Sequence, residues 1–480
     1  MFGYIRFFLL IFITGFAALS APSAASQEFE NSNFERFIEE SMTASHVPGL
    51  AVVLFDETGV TYEGAFGIAD KEKTPVTLET PFQLASVSKS FAALIIVQLA
   101  AEGQVSLDDP IVKYLPYFRT KDETAWQAIT IRHILSHRSG LSTFDGNRGH
   151  QGTYSGADAL ERAVKSLEKT RLKTPPGDVF AYSNANYKIA GALIETVTGQ
   201  SFETVVKERI FGPLDMKNSY VRIAVQETVP EATGFRQWFG VPIAHPSVAG
   251  RAWAAAGGVT ASARDLATYV QAVAMKDPRI VPAAFADDLI TPQGPEGEAS
   301  TGYALGWMIA KQDRRLVVYH SGLNPGFASE VAFFPETGQG GVVLTNLSGS
   351  LQADVPDLVL SKGLNLPTGS TRPSTGQYIL VWGMVANVIG LVLLSALSMV
   401  RFSRYVRKNG GVTEFRRVSL SLWLFTIAFI IGVFVPKMNG LTLGGMRLFS
   451  SDVWLCLVLS ILILVIWGAI RLIYPRRLAN

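Results

Sequence analysis

The chain has a single cysteine, Cys456, among its 480 residues. That excludes a disulfide framework and a zinc site built on thiolates. Charge of either sign in excess is also missing: 42 Lys and Arg stand against 40 Asp and Glu, a formal net charge of +2. Such a balance offers no surface for nucleic acid. The sequence shows no internal repeats. His133 and His137 are four apart, the spacing of a metal pair on a helix. No third ligand stands near them, so neither a metal nor another cofactor is expected. The length admits two or three domains.

Long apolar runs are plentiful, but only at the two ends. They raise the mean hydropathy to +0.25, high for a soluble enzyme. At the N-terminus, Arg6 precedes an apolar stretch from Phe7 to Leu19, and the small residues Ser20 to Ser26 follow. That is the order of a secretory signal, with cleavage expected near Ala25; an uncleaved anchor helix is the alternative. Toward the C-terminus, Tyr378–Val400, Val418–Val435 and Val453–Ile470 are each near the ~20 residues that span a bilayer. Arg401, Arg404, Arg407, Lys408, Arg416 and Arg417 lie between the first two, and Arg471, Arg476 and Arg477 follow the third. Only Lys437 and Arg447 lie between the second and third. The excess of positive charge predicts that these basic segments face the cytoplasm and that residues 27–377 lie outside. The signal-like start predicts the same side. Expected domain bounds are a signal at 1–26, a globular domain at 27–360, a linker at 361–377, three transmembrane helices within 378–474 and a cytoplasmic tail at 475–480. The linker reading rests on the Gly, Pro, Ser and Thr content of Gly363 to Gly376.

The globular part reads as strands at both ends with helices between. Asn31–Met42 is an expected helix. Gly49–Asp56 and Val60–Gly67 form an expected hairpin around Glu57-Thr58-Gly59. Strand patterns return at Tyr303–Ala310, Leu316–His320, Glu330–Phe334 and Gly341–Thr345. The pattern predicts an α/β (α+β) fold: one antiparallel sheet drawn from both ends of the domain, flanked by helices, with an inserted helical region.

Three stretches carry candidate chemistry. In the first, Ser86 and Lys89 are three apart at the start of an apolar helix that Gly103 would stop. On a helix that spacing puts their Cβ atoms about 5–6 Å apart on one face. A serine hydroxyl needs a base, and lysine serves as one when burial lowers its pKa. The pair by itself equally fits a helix cap beside a solvated lysine. The second stretch runs Pro175 to Asn184 and holds Tyr182 and Asn184 two apart. Near a lysine, Tyr182 would be held as phenolate and would shuttle protons; Asn184 would bond Lys89 or a substrate amide. A core tyrosine with an asparagine in a turn fits equally. The third is His320-Ser321-Gly322-Leu323-Asn324 at a strand end. There the Leu323 N–H would join that of Ser86 as an oxyanion hole, with His320 near the substrate's carbonyl or carboxylate. A surface histidine in a turn is the alternative.

Ser86-x-x-Lys89, Tyr182-x-Asn184 and His320-x-Gly322, in that order, resemble the serine β-lactamase and penicillin-binding-protein superfamily. The nearest likeness is to its class C-like branch of peptidases and esterases. Ile129–Leu141, Tyr187–Gly199 and Ala256–Thr260 match as well, and the resemblance spans about Phe29 to Asn346. It implies an acylated nucleophile at Ser86, a base system of Lys89 and Tyr182, and an orienting role for Asn184. It departs from true β-lactamases at His320, where their third motif begins with Lys. Histidine is at most partly charged at neutral pH, so hydrolysis of a peptide, amide or ester ranks above β-lactam hydrolysis. The expectation is an exported, membrane-anchored serine hydrolase acting on a small molecule or peptide. A penicillin-binding D-alanyl-D-alanine carboxypeptidase or β-lactamase is the runner-up. A binding or regulatory protein without turnover is the reading from another class.

Overall fold

The computed structural model describes residues 24–122, 124–147, 156–222, 231–246, 250–294, 302–312, 314–352, 354–409 and 414–473. The signal-like start at residues 1–23 and the tail from 474 lie outside the described residues.

Two runs of strand pattern, far apart in sequence, meet in one sheet. The strands are β1 (Gly49–Asp56), β2 (Gly59–Gly67), β3 (Gly302–Tyr303), β4 (Met308–Gln312), β5 (Arg315–Asn324), β6 (Phe327–Phe333) and β7 (Gly340–Thr345). Their order is β2-β1-β7-β6-β5-β4-β3, antiparallel throughout. The Tyr303–Ala310 expectation divides into β3 and β4, and β5 runs four residues beyond His320. Gly322 to Asn324, beyond the expected strand Leu316–His320, therefore sit in a strand paired with β6.

β1 is apolar from Leu50 to Phe55 because both faces of the sheet are covered there. Ala51, Val53 and Phe55 point into the larger core, beside Val331, Phe333, Val342 and Leu344. Leu50, Val52 and Leu54 alternate to the other face. There Phe34, Ile38 and Met42 of α1 (Ala24–Ser45) and Val355, Val359 and Leu360 of α5 (Val355–Gly363) close over them. The larger core holds α2 (Ser88–Ala101), α3 (Asn184–Thr198) and α4 (Ala263–Ala274). The result is a helix–sheet–helix layering. Leu364 and Leu366, in the stretch read as linker, still pack on the smaller core.

Three helices are long and apolar enough to cross a membrane: α6 (Thr375–Asn409), residues Val418–Met438 of α7 (Glu414–Met438), and α9 (Ser451–Ile473). At 1.5 Å per residue, the 21 residues of the shortest span rise about 32 Å, close to a hydrocarbon core. Leu393, Trp423, Phe429 and Ile466 project outward unburied, a surface suited to lipid. The short α8 (Leu443–Phe449) lies between the last two spans.

That connection touches the sheet-bearing part. Asn147 Nδ2 donates to the Gly440 carbonyl at 2.9 Å. Arg236 Nη1 donates to the carbonyls of Arg447 at 2.7 Å and Leu448 at 3.3 Å. Ser350 Oγ donates to Asp452 Oδ1 at 2.9 Å. Leu351 packs with Val381, Met446, Val453 and Leu457 in an apolar cluster.

Candidate active site

Ser86 lies in a tight turn, Ala85–Val87, that feeds straight into α2. Ala85 adopts φ +49, a left-handed conformation that non-glycine residues rarely take. Its surroundings over-determine the turn. Ser329 Oγ of β6 donates to the Leu84 carbonyl at 2.8 Å, and Leu84 N–H donates to the Val259 carbonyl at 2.9 Å. Val259 N–H donates to Ser88 Oγ at 2.9 Å. The rest of α2 is buried from Ser88 to Leu99, which explains its all-round apolar sequence. Gly103, at φ +72, closes its C-terminal end.

Lys89 is fully buried beneath the serine. Its Nζ is hydrogen bonded to Ser86 Oγ at 3.0 Å and to the Ala256 carbonyl at 2.7 Å. Burial, helped by the charge of Lys188, holds its pKa well below the usual lysine range. A neutral amine 3.0 Å from a hydroxyl has a lone pair for the serine proton. Asn184, expected on Lys89 or a substrate amide, lines the cleft and donates its Nδ2 to Asn147 Oδ1 at 2.8 Å.

Tyr182 faces the same spot. It is hydrogen bonded to Ser86, and Lys89 Nζ lies 5.1 Å from its ring centre. Burial raises its pKa above that of free tyrosine, with the Ser86 hydrogen bond opposing. Burial therefore disfavours the expected phenolate and favours the phenol, with only the Ser86 hydrogen bond acting the other way.

The segment holding Tyr182 hangs on His137. The His137 carbonyl accepts from Ala181 N–H at 2.8 Å, and its Nδ1 accepts from Ser183 N–H at 3.1 Å. Its ring centre lies 4.2 Å from that of Tyr182, with the planes tilted by 39°. The helix Ile131–Leu135 ends before His137, so the i,i+4 metal geometry does not form. His133 Nδ1 accepts from Thr130 N–H at 3.3 Å within a helix cap. A positioning role for His137 carried no signal in the spacing, since these partners are backbone groups of Ala181 and Ser183, 44 and 46 residues away.

His320 also differs from expectation. It is completely buried in β5, behind Tyr182 at 6.4 Å between rings. Its Nδ1–H donates to the Ser321 carbonyl at 2.7 Å, and its Nε2 accepts from Tyr303 OH at 3.0 Å. Burial and Lys89 push its pKa down to about 3, so it is a neutral imidazole at any physiological pH. It does not reach the cleft and supplies no cation for a carboxylate. The strand-edge residues beyond it do reach. Leu323 is half exposed at the mouth, and Asn324 Nδ2 donates to the Gly257 carbonyl at 3.1 Å. Gly322 lies so close to Leu84 that a Cβ there would strike its carbonyl oxygen and Ser329 Oγ.

Ser86, Tyr182, Asn184, Leu323 and Asn324 open onto one cleft of about 280 Å³. Thr143, Asn147 and Trp253 complete one side, and Asn439, Leu441 and Phe449 from the membrane-helix connection form another. None of the described residues lining it is charged.

A family model described as Beta-lactamase matches residues 34–362, more than half of the sequence. The chain belongs to the Beta-lactamase family. Among curated relatives, Protein flp of Staphylococcus aureus (strain MW2) is 23% identical over 395 residues, covering 81% of this chain and 78% of that one. Unguisins hydrolase ungD' of Aspergillus campestris is 27% identical over 340 residues, covering 66% and 62%. Among solved structures, the octameric penicillin-binding protein homologue from Pyrococcus abyssi superposes with TM-score 0.58 at 26% identity, over 73% of this chain and 81% of its own. The D-stereospecific amidohydrolase from Streptomyces sp. gives TM-score 0.54 at 25% identity, over 68% and 95%.

One pH effect follows from the neighbouring lysine. Lys188 is buried, stacks 3.9 Å over the Trp253 ring and donates to the Gly146 carbonyl at 3.1 Å. Burial lowers its pKa to about 7. Below that pH its charge discourages protonation of Lys89. Lys188→Met removes the repulsion, so the pKa of Lys89 rises. The acid limb of the pH–rate profile, where Lys89 gains its proton, moves to higher pH. Rate measurements from pH 5 to 9 on both proteins check this; superimposable limbs would contradict it.

Proposed function

We propose that this chain is an exported serine hydrolase, anchored by its three C-terminal helices, that cleaves an ester or amide through an acyl-enzyme on Ser86. The observation that carries the proposal is the buried Lys89 amine 3.0 Å from Ser86 Oγ at the floor of an open cleft, where burial holds its pKa well below the usual lysine range. In this reading Ser86 Oγ attacks the carbonyl carbon while its proton passes to Lys89. The oxyanion forms at the backbone N–H groups of Ser86 and Leu323. On collapse the C–O or C–N bond breaks, and the Tyr182 phenol gives its proton to the departing group. Lys89 then restores the phenol. Water repeats the sequence in reverse, leaving the acid product and free Ser86.

The domain would face the extracytoplasmic side. The basic cluster of α6, Arg401 to Lys408, lies at the end of that helix away from the globular part. The Asn439–Ser450 connection, which carries one basic residue, Arg447, touches the globular part. A D-alanyl-D-alanine carboxypeptidase fits less well. Its substrate ends in a carboxylate, and the cleft offers a neutral His320 behind it and no cation among the described lining residues. The test is treatment of the full chain with a fluorophosphonate, followed by peptide mapping. One phosphonyl group on Ser86, absent from Ser86→Ala, is expected; labelling elsewhere or none would refute the reading.

A further inference from the structure

The geometry points to a neutral amphiphile as the substrate: an ester or amide presented at the membrane surface, with an apolar chain lying along Leu441 and Phe449. This rests on the hydrolase reading above and narrows it.

Three observations carry it. First, the cleft that holds Ser86 takes one wall from the membrane region. Asn439 is the residue directly after α7, and Leu441 and Phe449 follow before α9 begins. The reacting serine is thus one small cleft away from the end of a bilayer-length helix. This wall lies outside residues 34–362, where the family model matches. Second, the wall is fixed in place. Asn147 holds the Gly440 carbonyl on one side of it, and Arg236 holds the Arg447 and Leu448 carbonyls on the other. Third, the described lining residues are uncharged and partly apolar. Trp253, Leu323, Leu441 and Phe449 surround amide and hydroxyl groups that orient the scissile bond. A carboxylate brought into such a site would lose its hydration with no cation among the described lining residues to replace it.

The volume fits this division of labour. About 280 Å³ lies just below the usual range for ligand pockets, so it encloses the reacting group and its first neighbours. The remainder must leave through the mouth, past half-exposed Leu323 and the apolar wall. A chain that stays in contact with the bilayer surface needs no further pocket. Each methylene kept from water adds to binding, roughly fourfold at ~0.8 kcal/mol.

The test uses the full chain in detergent micelles and two substrate series. One series is p-nitrophenyl esters with acyl chains of two to ten carbons; the other is acetate esters of two- to ten-carbon alcohols. The quantity read is the ratio of kcat/KM for the ten-carbon substrate over the two-carbon one. In at least one series the wild type should give a ratio of about ten or more. Leu441→Gln and Phe449→Ala should each cut that ratio at least fivefold. Partitioning into micelles is common to all the proteins and cancels. Thermal unfolding, with the milder pair Leu441→Ala and Phe449→Leu, separates a lost wall from a lost fold. A ratio near one in both series overturns the proposal. So does a steep ratio that none of the four variants changes, or faster turnover of acetyl-D-alanyl-D-alanine than of the neutral esters. If Ser86→Ala still turns over these esters, it is the hydrolase reading that fails instead.

Discussion

Lys89→Met lowers kcat/KM toward any turned-over ester by about 10³-fold, within the range typical of a positioned general base. The side chain is fully buried, and its two partners are Ser86 Oγ and a backbone carbonyl. Methionine fills similar space without the amine. The Ser86 hydroxyl keeps its position in the turn but loses its proton acceptor. Because burial already disfavours a charge at this depth, removing the amine should leave the melting temperature equal or higher. Steady-state kinetics with calorimetry check both halves. A loss of activity accompanied by a fall in melting temperature would instead make Lys89 a structural residue.

Gly322→Ala is the second large effect. The new methyl would be driven into the Leu84 carbonyl oxygen and Ser329 Oγ, the two atoms whose hydrogen bond ties β6 to the Ser86 turn. Neither is the loose end of a long side chain, so β5 must move away from the turn. That separates Leu323 from Ser86, opening the oxyanion pair while the amine and hydroxyl stay together. Activity should fall at least 100-fold, the scale of losing one oxyanion donor, and the protein should melt several degrees lower. Fluorophosphonate labelling of Ser86 should slow in parallel. A variant with wild-type kinetics would mean that β5 does not form that wall of the site.

The sheet was legible because its strands are short apolar runs bounded by turns, and β1 and β7 are apolar on both faces for a reason the pattern already contains. The ends of β5 were not. His320-Ser321-Gly322-Leu323-Asn324 has turn-forming composition, and only pairing with β6 extends it as strand. Ser86, Lys89 and Tyr182 were found from spacing and order, and the structure brings them together. Their protonation was less accessible. Burial supplied by distant segments, among them Tyr303 and His137, raises the pKa of Tyr182 and puts His320 behind the cleft. The wall from Asn439, Leu441 and Phe449 had no signal at all. Those residues sit between two apolar spans, and nothing in their spacing refers to a serine some 350 positions earlier.

The central claim is an acyl-enzyme on Ser86, and intact mass spectrometry tests it most directly. The full chain is mixed with excess p-nitrophenyl ester, quenched in acid at intervals from milliseconds to minutes, and weighed beside Ser86→Ala. The account predicts one added acyl group on the wild type, mapped to the Ser86 peptide, with a burst of nitrophenol of one equivalent at most. The Ser86→Ala chain should neither gain mass nor turn over. Turnover by Ser86→Ala, or an acyl group mapped to another residue, would contradict it.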